Sequence, residues 1–171
     1  FDNFLSNDKW QYITDHVNQS NFLSTDSFDE WRDSFYEEVI GWIDSRAKEV
    51  GIWQDHWEST IPLFSFINTC PVGFDREIAN DGYHRDFGGY VYYVHPQWGD
   101  DWGGRLKFRD CDVSAIQPKP NRFVWINPSV WHGIEVTNSN ATNNRITVVG
   151  WPEGCVETAA CDMIINTNTG N

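Results

Sequence analysis

Apolar residues recur at steps of three and four along the first third of the chain, and this spacing predicts amphipathic helices. A short helix with one apolar side is predicted from Trp10 to Val17. A second helix of about twenty residues follows the N-cap sequence at Ser24, and Gly51 is its predicted C-cap. Its apolar face is formed by Phe28, Trp31, Phe35, Val39 and Ile43. We interpret both helices as packing elements without chemistry.

Beyond residue 60 the pattern changes to short β-rich segments bounded by turn residues. The strongest is Gly89–His95, where aromatic and β-branched residues follow one another. The last two predicted strands, Trp131–Val136 and Arg145–Trp151, are joined by an Asn-rich turn, and we expect them to form a β-hairpin. The other predicted elements are strands at Pro62–Cys70, His84, Arg105–Arg109 and Asn121–Asn127, with polar loops at Asp75–Gly82 and Pro96–Gly104.

Helices followed by short strands predict an α+β fold with the helices on the outer face of one sheet. The spacing of the strands indicates a sandwich or jelly roll. The 171 residues are predicted to form a single domain, because we find no repeat and no domain boundary. In that domain residues 1–60 are the helical support, and residues 61–155 are the jelly-roll core.

The charge narrows the range of partners. The chain has 25 acidic and 12 basic residues and a formal net charge of −13. Proteins held to nucleic acid by phosphate contacts have a basic face, so we expect no nucleic-acid partner. No apolar run approaches the roughly 20 residues that a membrane span needs, so we expect no membrane partner either. The oligomeric state and the compartment stay open, with the cytoplasm favoured.

The four cysteines do not form a metal-binding pattern. No pair has CxxC spacing, which disfavours a zinc site. Cys155 and Cys161 either pair across a loop or stay reduced, and reduced thiols are favoured in a chain of this size without a visible secretory signal.

The candidate chemistry lies in the β-rich part. His84 and Asp86 are two positions apart, so on an extended segment they point to the same face. His132 supplies a second imidazole, and two histidines with one carboxylate form the facial triad of non-haem Fe(II) oxygenases. Arg145 follows thirteen positions later, and its guanidinium is suited to hold a carboxylate in a bidentate manner.

From Tyr83 to Trp151 the series of motifs resembles the 2-oxoglutarate- and Fe(II)-dependent dioxygenases, and within them the prolyl 4-hydroxylase-like group. The order of the motifs is far more specific than any one of them. The matching segments are His84-Arg-Asp86, Tyr92-Tyr93-Val-His-Pro-Gln-Trp98, Gly103-Gly104-Arg-Leu106-Lys-Phe108, Pro118–Asn127, Trp131-His132-Gly-Ile-Glu-Val136 and Arg145-Ile-Thr-Val-Val-Gly-Trp151.

The resemblance implies a double-stranded β-helix, or jelly roll, and a role for each matching residue. His84, Asp86 and His132 would bind Fe(II) as the catalytic centre, and Arg145 would pair with the distal carboxylate of 2-oxoglutarate. Tyr93 matches a tyrosine that donates a hydrogen bond to the same carboxylate in related hydroxylases. The implied reaction hydroxylates an unactivated C–H bond, consumes O₂ and releases succinate and CO₂.

Some positions depart from the family pattern or leave alternatives open. His95 stands where the family usually has Asn; it is either a contact near the site or, as favoured here, a histidine at the edge of a loop. The segment between His132 and Arg145 is a few residues longer than is common in the family. Trp98, Trp102 and Trp131 could line a substrate mouth and Arg85 could meet an acidic group, but packing and solvation are the favoured roles.

The resemblance favours peptidyl proline as the substrate. Three other hypotheses compete with this one. The first keeps the same chemistry on a free small molecule such as an amino acid, a sugar or a secondary metabolite. The second is a non-catalytic jelly-roll module that binds carbohydrate through surface Trp residues. The third is a cupin-like metalloenzyme that does not use 2-oxoglutarate and gives Arg145 no role.

Overall fold

The computed structural model describes residues 1–19, 34–53, 66–70, 89–127 and 130–150. Several predicted features lie outside these residues, so the structure does not bear on them. They are the first half of the second predicted helix, the Asp75–Gly82 loop, the strand with His84, Arg85 and Asp86, and the tail with Cys155 and Cys161.

Both predicted helices are present in the described residues. Helix α1 spans Asn7–Gln19, and helix α2 spans Ser34–Glu49. The C-terminal end of α2 is at the predicted position, where Gly51 has a φ of +71°. Its N–H donates to the carbonyl of Lys48 at 3.0 Å, and the N–H of Ile52 donates to that of Ala47 at 2.9 Å. These two bonds form a Schellman motif, which satisfies carbonyls that the helix itself leaves without donors.

The strands form two antiparallel sheets. A four-stranded sheet has the order β1-β7-β2-β5, and a three-stranded sheet has the order β4-β3-β6. All but one of these strands lie within predicted segments. The exception is β4, which the sequence does not signal because it is only two half-buried residues long. The strands are β1 Phe66–Cys70, β2 Gly89–Tyr93, β3 Leu106–Phe108, β4 Ala115–Ile116, β5 Phe123–Ile126, β6 His132–Ile134 and β7 Arg145–Gly150.

The four-stranded sheet separates two hydrophobic layers, because successive side chains of a strand point to opposite faces. On one face Tyr90 and Tyr92 of β2 pack with the apolar sides of α1 and α2. On the other face Val91 and Tyr93 pack with Leu106 and other residues of the three-stranded sheet. The mixed α+β fold and the position of the helices on one sheet are therefore as predicted.

The segment before α1 is attached to the four-stranded sheet through Asn121, a buried residue with a φ of +56°. Its side-chain oxygen accepts from the backbone N–H of Leu5 at 3.0 Å and from the hydroxyl of Tyr92 at 2.9 Å. Its side-chain amide donates to the carbonyl of Leu5 at 2.9 Å. Next to this contact the ring of Phe4 stacks on Phe123 with 4.3 Å between centroids. One side chain thus joins the N-terminal segment to β2.

Among the helices of the described residues, neither α1 nor α2 has the length and apolar character needed to cross a membrane.

Candidate functional site

The candidate site is built around Arg145, the first residue of β7. Its side chain is 1 % exposed. Nε donates to the carbonyl of Gly104 at 2.9 Å, and Nη2 donates to the hydroxyl oxygen of Tyr93 at 3.3 Å. Both acceptors are neutral, and no carboxylate among the described residues forms an ion pair with this guanidinium. A buried charge is costly unless it is paired, so Arg145 is suited to receive an anion.

Tyr93 lies on β2, next to β7. It is fully buried, and its ring centroid is 5.0 Å from the guanidinium carbon of Arg145, which is a cation–π distance. Since its oxygen accepts from Arg145, the phenolic proton remains available for donation to another group. The structure therefore brings together the two residues that the family resemblance assigns to the 2-oxoglutarate carboxylate.

Two consecutive glycines allow the chain to approach Arg145 closely. Gly103 and Gly104 have φ values of +71° and +67°, a region that favours glycine. A Cβ atom at residue 104 would lie 3.0 Å from the Trp98 ring and 3.2 Å from Cδ of Arg145. The indole N–H of Trp98 donates to the carbonyl of Gly103 at 3.1 Å, which holds this turn against the strand. The carbonyl of Gly104 can reach Nε of Arg145 because neither position carries a side chain.

His132, at the start of β6, is 6 % exposed. It pairs with Phe108 of β3, whose ring belongs to the hydrophobic layer between the sheets. Because directly opposed residues share a face, His132 also faces this layer. Its Nδ1 lies 2.9 Å from the carbonyl of Val130. A carbonyl can only accept, so Nδ1 carries a proton, and in the neutral ring Nε2 then carries the lone pair. This is the form in which a histidine ligates a metal through Nε2.

The predicted hairpin between the strands of His132 and Arg145 is wrong. Strand β6 pairs with β3, whereas β7 pairs with β1 and β2 in the other sheet. The Asn-rich segment passes from one sheet to the other. It is attached at Thr137, which forms a β-bridge with Gly103, and at Asn138, whose N–H donates to the carbonyl of Trp102 at 2.9 Å. Only a loop of about two to five residues imposes hairpin pairing, and this connection is longer.

One of the three predicted metal ligands lies within the described residues. His84 and Asp86 fall outside them, and no cluster of three His, Cys, Asp or Glu side chains suited to a metal is found among the described residues. The tautomer of His132 is compatible with metal binding. The complete ligand set stays a prediction.

His95 is a buried residue of the site that sequence reasoning placed at the edge of a loop. It lies two residues beyond the end of β2, at the edge of the Pro96 loop as predicted, but it is 0 % exposed and therefore part of the interior. Neither ring nitrogen has a partner of good hydrogen-bond geometry among the described residues, although the backbone of Ile146 is near enough to raise the pKa slightly. Burial, followed by the nearby charge of Arg145, lowers the pKa of His95 to about 3, so its ring is neutral at pH 7. The alternation of β2, in which Val91 and Tyr93 face the second sheet, was the signal that could have identified it.

Two threonine hydroxyls near Arg145 are also buried without a hydrogen-bond partner among the described residues. Thr147 is two residues after Arg145, so both side chains lie on the same face of β7. Thr137 lies beside the Gly104 turn, 3.1 Å from the position that a Cβ there would occupy. Both side chains are at most 1 % exposed, and neither hydroxyl has a partner among the described residues. The region around Arg145 therefore has more hydrogen-bonding capacity than the described residues use.

Aromatic rings lie beside this polar group. The ring of Trp98 is half-buried, with its centroid 4.7 Å from that of His95 and 5.3 Å from that of Trp102. Trp131 is half-buried beneath Arg109, whose guanidinium carbon is 6.0 Å from the ring centroid. A role for these rings in substrate binding stays a prediction.

Comparisons with known proteins agree with the motif series. Residues 74–153 match the model of the 2OG-Fe(II) oxygenase superfamily. No curated protein sequence matches the chain.

Solved structures extend the likeness to most of the chain. One is a prolyl-4-hydroxylase from Pseudomonas putida, with 13 % identity, a TM-score of 0.53 and 89 % of each chain covered. Another is a prolyl hydroxylase from Trichoplax adhaerens in complex with a hypoxia inducible factor oxygen degradation domain peptide fragment. It has 17 % identity and a TM-score of 0.54, with 89 % of this chain and 81 % of that chain covered.

Proposed function

The chain resembles the 2OG-Fe(II) oxygenases and has a mixed α+β fold like that of solved prolyl hydroxylases, and on this basis we propose that it is an Fe(II)- and 2-oxoglutarate-dependent hydroxylase. In this proposal its two sheets are the halves of a double-stranded β-helix, and the site lies between them.

The observation that carries the proposal is the buried guanidinium of Arg145, which has no carboxylate partner among the described residues. The distal carboxylate of 2-oxoglutarate would supply the missing negative charge. Arginine is suited to this task because its planar fork donates two parallel hydrogen bonds to a carboxylate. The Tyr93 hydroxyl, which already accepts from Arg145, would donate its own proton to the same carboxylate.

His84, Asp86 and His132 would hold Fe(II) in this proposal. When bound, the iron supplies the oxidising chemistry with O₂, and three protein ligands leave coordination positions open for the co-substrate. The carbonyl of Val130 orients His132 by accepting a hydrogen bond from Nδ1, and Arg145 with Tyr93 would fix the far end of the oxo acid. In the balanced reaction one oxygen atom enters the substrate C–H bond and the other enters succinate, while 2-oxoglutarate loses CO₂.

We propose a peptide containing proline as the substrate. Support comes from the fold likeness to two prolyl hydroxylases, one of which is in complex with a peptide fragment. A competition experiment tests this choice, with succinate formation measured while proline peptides compete with free amino acids and sugars. Stimulation by free metabolites and not by any proline peptide would replace the peptide substrate with a small molecule.

An anaerobic titration of the metal-free protein with Fe(II) and 2-oxoglutarate tests the class of enzyme. We expect the weak visible charge-transfer band of a metal-chelated 2-oxo acid. The band should be lost in Arg145→Ala, weakened in Arg145→Lys, which keeps the charge but not the fork, and unchanged in Arg105→Ala. Arg105 is the matched control because it is an exposed arginine paired with Glu135 at 2.6 Å.

Other results would contradict the proposal in different ways. Binding of Fe(II) without a band would indicate a metal site that does not use 2-oxoglutarate. If neither Fe(II) nor 2-oxoglutarate binds, and carbohydrate binding is unchanged by Asp86→Ala, the protein is a non-catalytic binding module.

A further inference from the structure

Two turns next to His132 bring an arginine and a tryptophan together. The N–H of Arg109 donates to the carbonyl of Trp131 at 3.0 Å, one rung beyond the pair of Phe108 and His132. Because Phe108 and His132 face the layer between the sheets, their neighbours Arg109 and Trp131 lie on the outer face of the three-stranded sheet. There the guanidinium carbon is 6.0 Å from the centroid of the indole ring, a cation–π distance. We call Arg109 and Trp131 the rim pair.

The rim pair has a fixed position relative to the predicted metal ligand. His132 follows Trp131 directly, and its Nδ1 lies 2.9 Å from the carbonyl of Val130. Two successive carbonyls therefore engage the imidazole and the backbone of Arg109. Asp110, the next residue, has a φ of +61°, so the chain turns immediately after Arg109. A group bound by Arg109 thus lies at a set distance from a metal at Nε2 of His132.

The charge of this position differs from that of the chain as a whole. The formal net charge is −13, and only 12 of the 171 residues are lysine or arginine. Lys107 lies two residues before Arg109, so its side chain shares the outer face of β3. Arg109 is half-buried, and a charge shielded from water interacts more strongly with a partner. Stacking uses the face of the guanidinium, whereas a carboxylate binds in a bidentate manner to the N–H fork at its edge.

Neighbouring charges limit where an acidic group can bind on this face. Asp110 and Asp112, on the turn after Arg109, are exposed and repel an acidic group placed further along that turn. At the other end of the row, Arg105 is already paired with Glu135 at 2.6 Å. The position on β3 that suits a carboxylate is therefore that of Arg109, and not either end of the row.

We propose that the rim pair selects peptide substrates that have an acidic residue close to the hydroxylated residue. The inference rests on the proposed function and deepens it, because it names a recognition site for the substrate outside the metal and co-substrate residues. Arg109 would bind the acidic side chain, and Trp131 would position the guanidinium. An extended chain spans about 3.3–3.6 Å per residue, so a side chain about three or four residues from the hydroxylated position can reach the rim pair.

Proline peptides that differ in one side chain test the proposal. Each peptide has glutamate, glutamine or lysine at one position between about two and five residues from the proline, on either side. Initial rates of succinate formation by the Fe(II)-loaded protein give KM and kcat for each peptide. We expect the KM of the best glutamate peptide to be about fivefold to tenfold lower than that of its glutamine match, with kcat unchanged. Lysine at the same position should raise the KM further.

Substitutions of the rim pair locate the preference. Arg109→Gln should abolish the difference between glutamate and glutamine peptides, and Arg109→Glu should reverse the preference towards lysine. Trp131→Leu, which removes the stack but not the charge, should retain part of the preference. Arg105→Gln is the matched control on the same face of β3, and it should select peptides as the unmodified protein does. The charge-transfer band with 2-oxoglutarate should be unchanged in both Arg109 variants, because the iron site is not altered.

Three results would overturn the inference alone. They are equal KM values for glutamate and glutamine peptides at every position, a preference for glutamate that Arg109→Gln retains, or loss of the charge-transfer band in Arg109→Gln. Thermal unfolding identifies a variant that does not fold, and Arg109→Gln carries the test if Arg109→Glu is one. Turnover of free metabolites but of no proline peptide would contradict the peptide substrate and this inference with it. Absence of the band in the unmodified protein would instead contradict the proposed class of enzyme.

Discussion

The hydroxyl oxygen of Tyr93 accepts a hydrogen bond from Nη2 of Arg145 at 3.3 Å, and the guanidinium carbon lies 5.0 Å from the centre of the same ring. The tyrosine therefore restrains the arginine in two ways, through its oxygen and through its π face. Nε of the arginine is bound to the carbonyl of Gly104 at 2.9 Å on the other side. A charged group held between two neutral partners needs little rearrangement when an anion binds, so less conformational entropy is lost.

Replacement of Tyr93 by Phe should therefore weaken co-substrate binding without affecting the fold. The variant loses one hydrogen bond to a charged group, and we expect the dissociation constant of 2-oxoglutarate to rise about fivefold to tenfold. The matched control is Tyr92→Phe on the opposite face of β2, whose hydroxyl donates to Asn121. It should lose stability but not affinity. Equal affinity of the two variants for 2-oxoglutarate, measured by anaerobic titration, would show that Tyr93 does not contact the co-substrate.

Gly104→Ala should damage the site through the backbone. The φ of +67° is unfavourable for alanine, and the new Cβ would lie within 3.2 Å of Trp98, Thr137 and Arg145. We expect a loss of about 2 kcal/mol in the free energy of unfolding and weaker 2-oxoglutarate binding, because the turn must move away from Arg145.

The matched control for this substitution is Gly41→Ala on the exposed side of α2, where no atom lies within 4 Å of the new Cβ. It should stabilise the protein by about 0.5–1 kcal/mol, because alanine favours the helix more than glycine does. Urea unfolding of both variants measures the two effects. A Gly104→Ala protein as stable as Gly41→Ala would show that the turn tolerates a side chain.

Asn121 should be one of the most sensitive positions outside the site. Its side chain makes three hydrogen bonds, to both backbone groups of Leu5 and to the Tyr92 hydroxyl. Asn121→Ala should reduce the free energy of unfolding by about 3 kcal/mol. Asn121→Ala loses the side-chain hydrogen bonds and also puts alanine at a φ of +56°, which is unfavourable. Asn121→Gly separates these two causes, because glycine tolerates this φ but makes no side-chain bonds. If both variants unfold like the unmodified protein in urea, the N-terminal segment is not held by this residue.

Local patterns in the sequence were sufficient for most of the fold. The apolar face of α2 and its end at Gly51 follow from helical periodicity and from the left-handed conformation that glycine adopts easily. Strand β2 follows from a run of aromatic and β-branched residues, and β7 from the run that begins at Arg145. The juxtaposition of Tyr93 and Arg145 was expected only through the family resemblance, since it depends on the pairing of distant strands.

What the sequence did not predict depends on tertiary pairing. The connection before Arg145 has turn composition, yet its length lets the chain cross between sheets, so composition alone could not exclude a hairpin. Strand β4 is two residues long and has no periodicity to detect. The burial of His95 was not predicted, because the residue directly precedes Pro96, a turn residue, while hydrogen bonding to β7 continues beyond the last residue of β2.

The burial of His95 also predicts how the metal-free protein responds to acid. The pKa of this ring is lowered to about 3 in the folded chain, first by burial and then by the charge of Arg145, against an ordinary value of 6.5. Below about pH 6.5 the unfolded chain therefore binds a proton that the folded chain does not. The free energy of unfolding is therefore insensitive to the protonation of His95 above that pH and falls as the pH is lowered, with a slope that approaches about 1.4 kcal/mol per pH unit.

Urea unfolding of the metal-free protein between about pH 7.5 and pH 5 measures this slope, because His95 takes up its proton in the unfolded chain over this range. Folded-state carboxylates such as Glu135, whose pKa is lowered by its hydrogen bond to Arg105, stay ionised there. His95→Phe should flatten the pH dependence by nearly one proton. It should also stabilise the protein at pH 7 by about 1 kcal/mol, since it removes two buried ring nitrogens that have no well-formed hydrogen bond among the described residues. Thr147→Val, which changes a buried polar residue of the neighbouring strand β7 without removing a titrating group, should keep the slope of the unmodified protein. Parallel curves for all three proteins would mean that His95 takes up its proton in the folded state, and its ring would then be a second cation beside Arg145 instead of a neutral imidazole.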